Sequence, residues 1–275
     1  ITMYLNFIFT RLYMFIDSHA HFDLCAEDHK TSAETIISLM EENNVTTAVH
    51  IVIDTTGIQW GLDFINRHTD KNIYLAIGIH PSSLADSEAL HQLSVTIAHN
   101  KKTIPHKIFG IGETGLDYYR MRQPKSMQIA SFHFQIQLAK EHNLPVIIHS
   151  RDAMDDTYAI VKEYAPMHGI IHCFSGDHID ARKFIDLGFF ISFAGNVTYK
   201  SATNLQQAAS YIPMDTMLLE TDAPFLTPVP FRGKPNHPGL VQYTYNYIAL
   251  LRKISLSNCI DNIAQNFSNV LKLNN

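Results

Sequence analysis

The chain has 275 residues, of which 46% are hydrophobic and 17% charged, with a formal net charge of −5 when histidine is neutral. This composition excludes a disordered or low-complexity chain, and the acidic balance excludes bulk attraction of nucleic acid; a polyanion would have to be held by a local site or by cations. Length leaves open one large domain or two small ones, because single α/β barrels commonly reach this size.

The opening stretch "ITMYLNFIFTRLYMFIDSHAH" is apolar, yet it lacks a basic leader, Arg11 interrupts it, and no small-residue cleavage site precedes His19. Neither a signal peptide nor a membrane span is expected from it. Met14 heads the first strand-like segment, so residues 1–13 are expected to be an upstream extension and residues 14–271 one domain. Cys25, Cys173 and Cys259 are widely spaced without a C-x-x-C pair, which fits a reducing compartment. A cytoplasmic monomer is the expectation.

Along the chain, short β-rich segments alternate with helical ones. The spacing predicts strands at "MFIDSH" (14–19), "VTTAVHIVI" (45–53), "NIYLAIGIH" (72–80), "KIFGIGE" (107–113), "PVIIHS" (145–150), "GIIHCF" (169–174), "FFISFA" (189–194) and "TMLLETD" (216–222). Most are nearly continuous in apolar residues, as parallel strands buried on both faces should be. Thr31 and Glu34 form a capping-box pattern ahead of Ala33, Ile36, Ile37 and Met40, Pro124 can open a helix running to about His142, and further helices are predicted at Leu240–Lys253 and Ser257–Leu271. Eight such units predict a TIM (β/α)8 barrel of class α/β. An open doubly wound sheet shares this periodicity and is its structural competitor.

Polar residues recur where these strands end: His19 and His21, His80, Glu113, His149, His172, and Glu220 with Asp222. In a barrel those ends meet on one rim. Any one of them alone is more simply a hydrogen-bonded structural residue. Together they would leave many polar groups buried around one axis unless a cation supplied a shared partner. His19 and His21 are two apart and so leave one face of a strand.

The stretch "GIGETGLDYY" contains a literal G-x-G-x-x-G at Gly110, Gly112 and Gly115. A dinucleotide fingerprint should enter a helix directly and meet an acidic residue about 20 positions later. Here "LDYYRMRQP" follows, a poor helix start, and His133 stands near the expected acid. The glycines are better explained as thinning the backbone around a functional carboxylate, Glu113. His172 beside Cys173 admits a nucleophile–base pair, but neighbours on a strand point to opposite faces, which favours Cys173 as a small apolar filler.

The segments "FIDSHAH", "GIHP", "GETGLDYY", "PVIIHSRDA", "HCFSG", "ETDAPFL" and "RGKPNHP" resemble, in this order, the TatD-type family of metal-dependent hydrolases within the amidohydrolase superfamily. The resemblance runs from Met14 to about Phe267. It implies a TIM barrel with a mono- or binuclear divalent site and the deoxyribonuclease activity assigned to several relatives. By position, His19, His21 and Asp222 would hold one metal, His149 and His172 a second, with Glu113 bridging. Relatives usually carry a charged residue at the place of Pro235 and vary near His237, while Arg232 and Asn236 are retained; the substrate rim is expected to differ.

On this basis the expected reaction is hydrolysis of DNA phosphodiesters by a metal-activated water, at single-stranded ends, since no duplex-binding face is evident. Asp222 is the expected base, and Glu113 holds the cations together. His80 and Arg232 are candidates to bind phosphate or the leaving oxygen. Arg151 is a further candidate, with an ion pair to Asp152 or Asp117 as its structural alternative. Glu220 is placed to orient a ligand, and Tyr118 and Tyr119 can either stack on a base or simply pack. One or two divalent cations are implied; imidazoles favour zinc, manganese or iron-type ions, and a phosphate substrate keeps magnesium open. Two rival readings stand beside it: the same unit attacking an ester or amide such as a D-aminoacyl-tRNA, and a binding protein on an inherited barrel.

Overall fold

A computed structural model describes residues 13–272. The expected extension at residues 1–13 falls outside that range except for Tyr13. β1 (Phe15–Ala20) leads into α1 (Phe22–Asp28) and α2 (Ala33–Glu42). Then follow β2 (Val45–Val52), α3 (Thr55–Arg67), β3 (Asn72–Ile77), α4 (Ser87–Thr103), β4 (Ile108–Asp117), α5 (Lys125–Glu141), β5 (Val146–Arg151) and α6 (Met154–Glu163). The last third holds β6 (Gly169–Ile171), α7 (His178–Ile185), β7 (Phe189–Phe193), α8 (Thr203–Tyr211), β8 (Met217–Leu219), α9 (Val241–Arg252) and α10 (Leu256–Lys272).

The eight strands form one parallel sheet in sequence order. Its first and last members meet through a parallel bridge between Ala20 and Ala223. Beside that bridge the Asp222 amide donates to the His19 carbonyl at 3.0 Å and the His21 amide to the Ala223 carbonyl at 2.9 Å. This seam decides for the barrel over the open sheet. It also places His19, His21 and Asp222 side by side before any side-chain contact is considered.

Side chains reinforce the seam. Asp17, fully buried, accepts from the Thr221 amide at 2.9 Å and the Thr221 hydroxyl at 2.5 Å, and from the His19 amide at 3.3 Å. Outside it, the Tyr245 hydroxyl on α9 donates to the Ile16 carbonyl at 3.0 Å.

Several elements differ from the expectation for identifiable reasons. The cap of α2 is Ser32, whose side chain accepts from the Thr35 amide, and not Thr31. Thr31 is still engaged in the exit from α1, its amide donating to the Ala26 carbonyl after a left-handed Lys30. β3 stops at Ile77, so His80 is carried by the loop beyond it. β6 and β8 are three residues each, and beyond them Cys173 and Asp222 turn left-handed, at φ 43° and 53°. β4 is longer than expected and buried throughout, so the glycine motif lies inside a strand. Gly112 and Gly115 sit at φ 155° and 133°; a Cβ at either would run into the backbone carbonyl of Ile147 or His149 on β5.

Candidate metal centre

Five of the eight strands deliver six groups to the mouth of the barrel. His19 is the last residue but one of β1, and His21 stands directly after that strand as the residue capping α1. Glu113 comes from the glycine-lined middle of β4, His149 from β5, His172 from just past β6 and Asp222 from past β8. Glu113 lies between the others with its two oxygens facing different partners. Oε2 is 3.4 Å from His19 Nε2 and 3.8 Å from His21 Nε2. Oε1 is 2.8 Å from both His149 Nδ1 and His172 Nε2. Asp222 Oδ1 closes the first group, 3.7 Å from His19 Nε2 and 3.5 Å from His21 Nε2.

These distances allow the donor set to be tested against a cation. Around a tetrahedral ion with bonds of about 2.1 Å, ligand atoms are separated by roughly 3.4 Å. The His19, His21, Glu113 and Asp222 atoms have that spacing, which is long for hydrogen bonds. Both ring nitrogens of His19 are buried without a hydrogen-bond partner, and its ring lies flat on that of His172, with centroids 3.9 Å apart. A buried imidazole edge with nothing to bind is costly. A divalent cation at His19 Nε2 removes that cost for the edge facing Glu113 and Asp222, so the residues fit one. The second group, Glu113 with His149 and His172, is drawn closer, with 3.2 Å between the two imidazole nitrogens.

Charge in the cluster is shared. Burial acts to raise the carboxyl of Glu113, but His172 and the hydrogen bond to His149 hold it well below its ordinary range. Burial likewise opposes ionisation of Asp222 and is outweighed by His21, His19 and His172. For His172 burial acts to lower the pKa, and Glu113 and Glu220 lift it well above the usual imidazole value. Protons and a cation therefore compete for the same nitrogens, and cation binding must release protons.

A ring of supporting groups selects which nitrogen each histidine presents. His21 Nδ1 lies 3.1 Å from the Ile51 carbonyl, leaving Nε2 for the centre. His172 Nδ1 faces Glu220 Oε1 at 3.4 Å, and the same oxygen accepts the Cys173 amide at 2.8 Å. His149 presents Nδ1 because Nε2 is turned to Asp117 Oδ2 at 3.4 Å. The sequence offers Asp117 only as a partner for Arg151; its even spacing from Glu113 on one strand is the signal that marks it.

His80 joins the cluster, its Nε2 3.4 Å from Glu113 Oε1. Its Nδ1 accepts the Ser82 amide at 2.9 Å, so the ring proton sits on Nε2. Burial pulls its pKa down to about 3. His80 thus enters as a neutral donor. His80, Asp117 and His149 also lie close enough together for a cation, but the proton on Nε2 favours the donor role.

The outer candidates divide. Arg151 makes no ion pair to Asp117 or Asp152 among the described residues; its guanidinium lies 4.0 Å over the Tyr119 ring. Arg232 is exposed and stacked 4.4 Å over Tyr199. Tyr118 is not gathered in: its hydroxyl donates to Asp156 at 2.8 Å, and Lys125 covers its ring at 3.7 Å. Cys173 sits on the left-handed turn rather than on the strand, and burial pushes its thiol well above the ordinary range. That opposes a thiolate nucleophile.

Residues 16–272 match the family model described as TatD related DNase. The chain is 38% identical over 265 residues to "Uncharacterized metal-dependent hydrolase YabD" of Bacillus subtilis, covering 95% of this chain and 100% of that protein. It is 34% identical to "Uncharacterized metal-dependent hydrolase YcfH" of Escherichia coli, covering 94% and 96%. Among solved structures it resembles YjjV, a TatD homolog of Escherichia coli, with a TM-score of 0.84 at 27% identity, covering 94% of this chain and 97% of that one. The match spans the barrel and every strand end that supplies the centre, and the chain belongs to the TatD related DNase family of metal-dependent hydrolases.

Proposed function

We propose that this protein hydrolyses phosphodiester bonds of DNA as an exonuclease at single-stranded ends. One or two divalent cations (Mg, Mn or Zn) would be held by His19, His21, Glu113, His149, His172 and Asp222. The observation that carries this reading is the division of the Glu113 carboxylate between two sets of imidazoles. That arrangement, in a family described as DNases, suits a centre that must handle both the attacking water and a phosphoryl oxygen. A divalent cation bound there supplies Lewis acidity, lowering the pKa of water from 15.7 to about 7.

The chain's own groups divide the remaining work. Asp222 is the most open acid of the centre, with 12% of its side chain exposed against 4% for Glu113. It is held ionised by its imidazole neighbours and takes the proton of the attacking water. Glu113, enclosed and fully engaged, positions the ligand sets. His80 offers Nε2–H to a phosphoryl oxygen, where a neutral donor in a dry site stabilises developing charge. Arg232, exposed beyond β8, would take the adjoining phosphate as a two-pronged donor.

A second reading has one specific observation behind it. A depression of about 510 Å³ beside the rim is lined by Tyr118, Lys125, Asp152, Asp155, Asp156 and Asp180 among others. Its acidic wall suits a substrate with an ammonium group, such as an aminoacyl ester, attacked by the same centre. A divalent-metal panel with end-labelled single-stranded DNA and a D-aminoacyl ester separates the two. Stepwise shortening of the DNA, abolished by chelator and by Glu113→Ala or Asp222→Ala, is the expected result. Intact DNA under every metal beside rapid ester cleavage would replace the nuclease reading with the second.

A further inference from the structure

We infer that Tyr119, backed by the Arg151 guanidinium, is the step on which a single-stranded nucleic acid stacks a base as it enters the metal centre; this rests on the proposed nuclease reading. Tyr119 is a large aromatic residue with 64% of its surface exposed. Its neighbour Tyr118 is committed elsewhere, to Asp156 and Lys125. One face of the Tyr119 ring is covered by Arg151 at 4.0 Å, which orients the ring.

The position of the pair is set by the sheet. Arg151 lies two residues beyond His149 on β5, on the same face, and is register-paired with Asp117 at the end of β4. The Tyr118 amide donates to the Arg151 carbonyl at 2.9 Å, tying the loop to that strand. The platform therefore begins where the imidazole cluster ends.

Its charge is also available. Among the described residues Arg151 has no carboxylate within ion-pair distance; the nearby Asp117 is taken by His149 and by the Arg120 amide. The loop continues through Arg120 and Arg122, both exposed. A basic segment with an open aromatic ring, on a chain of net charge −5, matches a strand that offers phosphates and base faces in alternation. The other guanidinium–aromatic pair of the rim differs. Tyr199 is half-buried and its hydroxyl donates to the Thr227 carbonyl at 2.9 Å, so that pair holds Arg232 but presents no open ring.

The test is fluorescence anisotropy with an end-labelled oligothymidylate and its abasic equivalent, on the full chain with cations chelated. Tyr119→Ala should weaken binding of the base-bearing strand by about 5-fold to 100-fold and leave the abasic strand nearly unaffected, while Tyr119→Phe restores the wild-type value. Replacing Arg120 and Arg122 together by Gln should weaken both strands and reduce the salt dependence, by about 1.4 in log–log slope for two lost phosphate contacts. Tyr211→Ala, an equally exposed tyrosine at the end of α8, should change nothing. With cations restored, the Tyr119→Ala loss should appear in KM with kcat held. Tyr119-dependent binding without cleavage under any metal would remove the nuclease reading and leave the platform standing. Cleavage or binding indifferent to Tyr119, or no strand binding at all, would overturn the platform.

Discussion

Glu220 never touches the middle of the cluster, yet it decides how His172 enters it. Its Oε1 faces His172 Nδ1 and accepts the Cys173 amide, while Oε2 is buried without a partner. The carboxylate is thus retained in a place where burial is costly, which is intelligible if its charge strengthens the imidazole as a ligand. Glu220→Gln keeps an acceptor for the Cys173 amide but removes that charge. It should lower cation affinity by about 10-fold to 100-fold in a competitive chelator titration, with little loss of stability in the metal-free protein. Unchanged affinity would show that Glu220 serves only the turn. The ligand types themselves were legible: His19 and His21 stood two apart at a strand end, and Glu113 stood alone among glycines. Which nitrogen each histidine offers was not, because that depends on partners such as Ile51 and Asp117 from other strands.

β4 shows how a strand can be shaped around one side chain. Gly112 and Gly115 flank Glu113 in left-hand φ space, and each leaves room for a β5 carbonyl that a Cβ would strike. Gly115→Ala should therefore push β4 off β5 at His149 and cost on the order of 3 kcal/mol in urea denaturation, together with a measurable loss of cation affinity. Gly233 provides the comparison: its φ is 85° but nothing lies within 4 Å of its would-be Cβ. Gly233→Ala should cost only about 1 kcal/mol. Equal costs at the two positions would mean that φ, and not crowding, dominates. The glycine spacing was visible in the sequence as a departure from a nucleotide loop. That the whole motif lies inside the strand, extending β4 to Asp117, follows from its pairing with β5 and had no local signal.

The assembled barrel buries histidines that the unfolded chain would expose. Burial takes His50 to about 4, His80 to about 3 and His237 to about 4. Each is a folded-state pKa below the unfolded value of about 6.5, so the unfolded chain binds protons first as pH falls. The stability they contribute is intact above about pH 6.5 and is lost as pH drops towards 4. For fully buried His50 alone this is on the order of 3 kcal/mol. In denaturation with cations chelated this contribution should decline between pH 7 and 5, against the opposite contribution of His21, His149 and His172, whose raised pKa values favour the folded chain as pH falls. His50→Asn, whose amide oxygen can replace Nδ1 as acceptor for the Phe22 amide, should flatten it; an unaltered slope would place the sensitivity elsewhere. A bound cation adds to stability by mass action, about 2.7 kcal/mol at a hundred times its Kd. Chelation should accordingly lower Tm, and by less at pH 5 than at pH 7, since the ligand imidazoles then bind protons instead.

Legible in the linear chain were the alternation of strand and helix, the chemical type of each residue at the strand ends, and the family its motifs resemble. These are local properties: a period of two or of 3.6 residues, or a handful of neighbours. The remainder came from contacts across the fold. The bond from Thr221 to Asp17 spans 204 positions, and the seam it reinforces is what turns a list of strands into a closed mouth. The same holds for Tyr118 and Tyr119. Adjacent and alike in sequence, they were separated by what surrounds them, one drawn to Asp156 and the other set against Arg151. A side chain's partners lie wherever the chain returns in space, and no window of neighbouring residues contains them.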